Sequence, residues 1–244
     1  MEVLLFTAFV IGASRGLGSA LVEELLQRPD SRVIAGCRRL GASDDLDRLR
    51  KEHGDRLTEM RVDYADEASI ARAGSACAEL FHHLDLLVNC GAISTAEGLP
   101  AEASAGPVAE LDGAALRTLF QTNVVGPVLA CKTMLPLLRR AEAPVILNLS
   151  SIRASATEAQ AGSIGYSVTK AAFNMASRKL AAEVRAEGIA VVSLHPGWMK
   201  TRMGGEAAPL YTSDVASDVM RTIHPRAMEL TGRFVDTSGA DVAW

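Results

Sequence analysis

Short, continuously apolar runs alternate with longer amphipathic stretches along the whole 244-residue chain, and no other feature restricts its fold as strongly. The runs Val3–Ile11, Arg32–Ala35, Thr58–Val62, Leu84–Asn89, Pro144–Leu149, Ala190–Leu194 and Arg233–Val235 are mostly unbroken rather than alternating, the pattern of strands covered on both faces. Between them, Leu17–Arg28 places Leu17, Ala20, Leu21 and Leu25 on one helical face. Ser69–Phe81, Ala114–Leu138 and Tyr166–Glu187 also read as helices, the last stopped by Gly188. Repeated strand–helix–strand units close through right-handed crossovers, so the expected fold class is α/β, a doubly wound parallel sheet with helices on both faces. No low-complexity linker interrupts residues 1–244, which are read as a single domain. In such a sheet the loops at the carboxyl ends of the strands build the site.

Composition narrows the partners. Hydrophobic residues make up 48% and charged residues 22%, an ordinary globular balance, and the formal charge of −4 offers no basic footprint for nucleic acid or an acidic membrane. The N-terminal run MEVLLFTAFVIG carries Glu2, lacks a positive leader and is too short to span a bilayer, so it is read as a strand rather than a targeting segment. Cys37, Cys77, Cys90 and Cys131 are widely spread with no C-x-x-C, and the five histidines form no H-E-x-x-H. The expectation is a reduced, cytoplasmic protein with no metal, no nucleic acid and no membrane partner.

After the first strand comes Gly12-Ala13-Ser14-Arg15-Gly16-Leu17-Gly18, opening the first helix. A tight glycine turn at a helix N-terminus lets the backbone approach a pyrophosphate, although the spacing G-x-x-x-G-x-G departs from the common G-x-G-x-x-G. The second strand ends Ala35-Gly36-Cys37-Arg38-Arg39, where an NAD site would place an acid for the ribose 2′-hydroxyl. Arg38, with Arg15 from the turn, suits a 2′-phosphate instead, so NADP(H) is expected over NAD(H). The plainer alternative is a pair of solvated arginines, and Asp44, Asp45 and Asp47 read as a solvated face.

Tyr166 and Lys170, in GYSVTKAAF, stand four positions apart and leave one face of a helix. An ammonium beside a phenol favours its ionised form and lowers its pKa, which suits proton transfer near neutral pH. Alone, such a pair is usually a surface contact.

Taken in order, the pieces resemble the short-chain dehydrogenase/reductase family over nearly the whole chain. They are the turn Gly12–Gly18, Asp63 after the third strand, Val88-Asn89-Cys90-Gly91-Ala92, Asn123 in Asn-Val-Val-Gly, and Asn148-Leu149-Ser150-Ser151. Tyr166-Ser-Val-Thr-Lys170 and His195-Pro196-Gly197-Trp198-Met199-Lys200-Thr201 complete the set. HPGWMKTRMGG and the ending GRFVDTSGADVAW look further like the C-factor and sniffer-type carbonyl reductases within it.

The resemblance implies a Rossmann-like domain that reduces a ketone or aldehyde with NADPH. It makes Tyr166 the proton donor and gives Lys170 the tasks of lowering the Tyr166 pKa and binding the nicotinamide ribose. Ser150 and Ser151 are both candidates to hydrogen-bond the substrate oxygen, with alignment favouring Ser151. Asn123 would hold a proton-relaying water. Gly12, Ser14, Arg15, Gly16, Leu17, Gly18, Arg38, Asn89 and Gly91 would line the cofactor, and Asp63 would sit at the adenine. Pro196, Gly197, Met199 and Thr201 would grip the carboxamide. A homodimer or homotetramer packed through Ala114–Leu138 and Tyr166–Glu187 is also implied.

Three departures stand out. Ile11 replaces the usual threonine, and Asn89-Cys90-Gly91-Ala92 permutes the family's Asn-Asn-Ala-Gly, which should weaken hydrogen bonding between the first and fourth strands. The interval from Ser151 to Tyr166 is slightly longer than in the plainest members, enlarging the loop beside the substrate. Substrate choice is expected to lie in that loop, in Ile93–Pro107 and in Arg202–Asp214, with Trp198, Met199, Met203 and Tyr211 suggesting an apolar pocket and Arg153 and Arg202 available to an anion. The rival readings are an alcohol dehydrogenase running oxidatively, a non-catalytic NADP-binding signalling protein, and an isomerase or dehydratase on the same scaffold.

Overall fold

The computed structural model describes residues 5–244. Seven parallel strands form one sheet in the order β3-β2-β1-β4-β5-β6-β7. They are β1 (Phe6–Ile11), β2 (Ser31–Cys37), β3 (Leu57–Arg61), β4 (Leu86–Asn89), β5 (Val145–Leu149), β6 (Ala190–Leu194) and β7 (Phe234–Val235). Every expected strand is present; Val3 and Leu4 lie outside the described residues. β4, β5 and β6 are buried at every position, which is why their sequences read as unbroken apolar runs.

Two apolar layers cover the sheet. On one face α1 (Gly16–Leu26), α2 (Asp44–His53) and α8 (Thr212–Asp218) pack Leu21, Leu25, Leu46, Leu49 and Val215 against Ala8, Val10, Val33 and Val192. On the other, α3 (Glu67–Leu80), α6 (Gly126–Leu138) and α7 (Ile164–Val184) pack Ile70, Cys77, Met134, Ala181 and Val184 against Phe9, Ile34, Leu87 and Val191. The fold is therefore the doubly wound, Rossmann-like one. Strand order reverses between β1 and β4, and this crevice places the candidate site.

The segment expected as one helix over Ala114–Leu138 is α5 (Gly113–Phe120) and α6 joined by a π turn at Gln121–Val125. Asn123 lies in that turn. The stretch taken as a solvated acidic face is the start of α2, with Asp44, Asp45 and Asp47 in its first turn and the Ser43 hydroxyl accepting from Leu46 N–H. Acids there complement the helix dipole, and the low apolar content of α2 hid it from a hydrophobic-periodicity reading. A short α4 (Glu102–Ala105) and α8 were likewise not expected.

The β1–β4 link that Ile11 and Cys90 were expected to weaken runs through the main chain. Cys90 N–H and Gly91 N–H both donate to the Ile11 carbonyl, at 2.9 and 3.0 Å. At the other end of β1, Thr7 donates to Asp85 Oδ2 from its N–H at 2.7 Å and from its hydroxyl at 3.0 Å. These bonds need neither of the missing polar side chains.

Candidate active site

The glycine turn closes directly onto the loop after β4. Gly12 has φ +93, and a Cβ there would overlap the Gly91 main chain. A Cβ on Gly18 would overlap the Gly12 carbonyl, so α1 enters close against the turn. Arg15 precedes α1 in extended conformation without a side-chain cap, and the first turn of α1 holds no acid. Uncapped N–H groups at a helix start, in a cradle any side chain would fill, fit a pyrophosphate. Ser43 donates to the Ser14 carbonyl at 2.8 Å and ties the turn to α2. Leu17 points into the core, leaving only its backbone for a ligand.

Burial, and then the charges of Arg202 and Arg38, lower the Arg15 guanidinium pKa. Three guanidiniums thus bear on one space beside the turn. Arg38 pairs with Glu97 at 3.6 Å, but Glu97 is 80% exposed, and a pair of that kind is worth at most about 1 kcal/mol. Thr201 stands across the turn, its Cγ2 3.4 Å from where a Gly16 Cβ would lie. Its hydroxyl accepts from Gly204 N–H at 3.0 Å. Asp63 Oδ1 accepts from Ala65 N–H at 3.0 Å, shaping the loop after β3.

Tyr166 and Lys170 share one face of α7. Lys170 is 3% exposed; its Nζ donates to the Leu149 carbonyl at 2.7 Å and lies 5.8 Å from the Tyr166 ring centroid. Burial lowers the Lys170 ammonium to about 8, against a smaller upward pull from Cys90. Burial pushes the Tyr166 phenol up to about 12, opposed chiefly by a hydrogen bond from Ser151, with Cys90 adding to the rise and Arg153 opposing it. The expected lowering of this phenol by Lys170 is not seen: Lys170 is not among the groups acting on it, and desolvation, the largest cause, moves its pKa upward instead.

Of the two candidate serines, Ser151 is the one whose hydroxyl acts on the Tyr166 phenol, lowering its pKa. Its hydroxyl also accepts from Arg153 N–H at 3.2 Å. Ser150 is buried, its hydroxyl without a hydrogen-bond partner among the described residues. Two polar anchors expected at the cofactor or a water have largely committed side chains. Asn89 accepts from the Tyr64 hydroxyl at 2.7 Å and donates to Asn148 at 2.8 Å, and Asn148 donates to Ser177 at 2.8 Å. This chain stitches β4 and β5 to α7. Asn123 accepts from Ile93 N–H at 2.9 Å and donates to the Ile93 carbonyl at 2.8 Å and Thr169 Oγ1 at 3.1 Å, leaving one acceptor position on Oδ1.

Two residues named in the motifs, Cys90 and His195, were given no role at the site from sequence. Cys90 acts on both Tyr166 and Lys170, and burial raises its own thiol to about 11. His195 Nδ1 accepts from Ile152 N–H at 3.2 Å and Gly197 N–H at 3.4 Å, joining the serine loop to the Pro196-Gly197 turn. Burial lowers the His195 pKa, keeping the ring neutral and that nitrogen an acceptor. Pro196 is buried and Gly197 (φ +84) faces Leu210; Met199 bridges to Leu210. The permuted Asn89-Cys90-Gly91-Ala92 was the signal for Cys90, but a thiol at that position has no role in the resemblance.

A hollow of about 520 Å³ opens elsewhere, at the amino ends of β2 and β3 between Arg32, Arg50, Arg56 and Phe81. Arg56 is spent on the Leu26 and Arg28 carbonyls, and Arg50 on Asp47 and Glu59, so its depth reflects the sheet edge rather than chemistry. No group of three or more His, Cys, Asp or Glu among the described residues is placed to hold a metal ion. No described helix is long and apolar enough to cross a membrane.

Comparison with known proteins bears on the same residues. A family model described as short chain dehydrogenase matches residues 6–210. C-signal of Myxococcus xanthus is 36% identical over 136 residues, covering 55% of this chain and 82% of that protein. The solved carbonyl reductase Sniffer of D. melanogaster superposes with a TM-score of 0.89 at 28% identity, covering 98% of this chain and all of that one. An NADPH-bound carbonyl reductase from chicken fatty liver gives 0.88 at 26% identity, over all of this chain and 96% of that one.

Proposed function

The chain belongs to the short-chain dehydrogenase family, and from that premise we propose that it is a single-domain, NADPH-dependent reductase of ketones or aldehydes. The observation that carries this reading is Tyr166 one helical turn from Lys170, whose Nζ lies 5.8 Å from the phenol ring centroid, with the Ser151 hydroxyl acting on the same phenol. NADPH binding to the chicken reductase supports the cofactor, as does the trio Arg15, Arg38 and Arg202.

When bound, the nicotinamide supplies the hydride. The remaining chemistry belongs to the chain. Ser151 donates a hydrogen bond to the substrate oxygen and stabilises its growing charge. Tyr166 hands its phenolic proton to that oxygen. Lys170, its Nζ 5.8 Å from the Tyr166 ring centroid, offers a positive charge to the phenolate this leaves. Asn123 holds the loop after β4 to α7, with its spare lone pair available to a relay water. Gly12 and Gly18 admit the pyrophosphate, and Arg15 and Arg38 select the 2′-phosphate, once Arg38 releases Glu97. Exposed Val128, Val168 and Met175 on α6 and α7 support a homo-oligomer packed through these helices.

The test is loss of reduced-nicotinamide absorbance, with NADPH and with NADH, over aromatic ketones, vicinal diketones, quinones and aldehydes. Alcohol formation matched to NADPH consumption is expected. NADPH binding with no turnover across the panel would count against it. The similarity to C-signal keeps a second reading in view, an NADP-binding signalling protein without turnover, and that same silence is its signature.

A further inference from the structure

Trp244 lies far from Tyr166 in sequence yet is fastened to the segment that leads to it. Its indole packs against Phe234 of β7, ring centroids 5.8 Å apart, and the Arg178 guanidinium of α7 sits 4.8 Å from its centroid. Its main-chain oxygen accepts from Thr157 N–H at 3.2 Å, from the Thr157 hydroxyl at 3.1 Å and from the Ser155 hydroxyl at 3.4 Å. Ser155 in turn accepts from Glu158 N–H at 3.1 Å.

Ser155 and Thr157 belong to the interval between Ser151 and Tyr166. Its other end is anchored too: Ser163 N–H donates to the Ala105 carbonyl of α4 at 3.2 Å and enters α7 at φ +52, a left-handed conformation costly for serine. Residues 158–162 are exposed and span the two anchors. Removing one anchor should leave this span to be ordered again each time a substrate binds, and ordering backbone is unfavourable.

We propose that Trp244 is a positioning residue for substrate: its ring is wedged between Phe234 and Arg178, its main-chain oxygen clamps Ser155 and Thr157, and the clamp sets the substrate-facing wall between Ser151 and Tyr166. This rests on reading that interval as the carbonyl-substrate side of the proposed site. Most of the proposed cofactor contacts, the glycine turn, Arg38 and Gly91, hang from β1, β2 and β4, whereas Trp244 packs on β7 and on Arg178, eight residues beyond Lys170 in α7, so cofactor affinity should largely hold.

The experiment compares wild type, Trp244→Ala and Trp244→Phe by amide hydrogen exchange, NADPH titration and steady-state kinetics on the best substrate of the carbonyl panel. In Trp244→Ala, exchange at Thr157 and Glu158 should quicken about tenfold, with KM for the carbonyl rising by a similar factor. The turnover number and the NADPH dissociation constant should stay within about twofold, and Trp244→Phe, which keeps a ring between Phe234 and Arg178, should restore KM. Unchanged exchange over residues 155–163, an unchanged KM despite faster exchange, or NADPH affinity falling in step with KM would each overturn the proposal. Exchange reads the clamp without turnover, so silence of the wild-type chain on every carbonyl would count against the reductase reading alone.

Discussion

At the scale of single residues, the site places an ammonium where the fold does not favour one. Lowering Lys170 from 10.5 to about 8 corresponds to roughly 3 kcal/mol against its charged form. Between pH 8 and 10.5 the unfolded lysine keeps a proton the folded one has lost, so Lys170 makes stability rise with pH through that window. Lys170→Met should remove the penalty at the loss of one hydrogen bond to Leu149, gaining about 2 kcal/mol at pH 7 and raising the thermal midpoint by about 4–8 °C. Its turnover should fall about 10²–10⁴-fold. Thermal melts at pH 7 and pH 10 check this: the variant's advantage should shrink at the higher pH, and an advantage that grew would reverse the sign argued here. The pairing of Tyr166 with Lys170 was legible from spacing alone, whereas the Tyr166 pKa was not. Desolvation depends on what covers the phenol, and that comes from distant segments that no local spacing records.

At the scale of elements, the strand ends and the turns between them carry the cofactor reading. Gly12→Ala would force a side chain into the Gly91 main chain at positive φ, destabilising by about 2–4 kcal/mol. Denaturant unfolding together with NADPH titration checks it. Arg38→Asp should reduce the preference for NADPH over NADH by about 10–100-fold, by losing a charge-assisted contact and placing an acid near the 2′ position. Glu97→Gln should leave that preference or modestly raise it, since the Arg38–Glu97 pair is exposed; direct titration of both nucleotides separates these outcomes. The central strands β4, β5 and β6 were readable because burial on both faces makes their sequences continuously apolar or nearly so, whereas the edge strand β3, LTEMR, keeps only Leu57 and Met60 buried. The polar helix α2 was not, since only Leu46 and Leu49 of it are buried. The π turn at Gln121–Val125 was also unreadable, because Gln-Thr-Asn-Val-Val fits an ordinary helical pattern and the extra residue shows only in how Asn123 meets Ile93 and Thr169.

At the scale of the whole molecule, one sheet gathers residues scattered from Gly12 to Thr201 into a single crevice where the strand order reverses. The ordered motifs made that gathering legible, because the glycine turn, Gly91, Ser151 and the Pro196-Gly197 turn each follow a strand, while Asn123 and the Tyr166–Lys170 pair come from helical segments. What they could not convey is how far Asn89 and Asn123 are drawn into holding β4, β5 and α7 together. Substrate identity also stayed out of reach, since the shape of the segments between Ser151 and Tyr166 and after Thr201 depends on distant contacts such as that of Trp244 with Thr157. The central claim is that Tyr166 gives the proton in an NADPH-driven carbonyl reduction. The measurement that tests it most directly is the turnover number on the best carbonyl substrate, with the NADPH dissociation constant, for wild type and Tyr166→Phe side by side. A fall of about 10³-fold or more in turnover at unchanged NADPH affinity is the predicted result. Undiminished turnover in Tyr166→Phe would contradict the account.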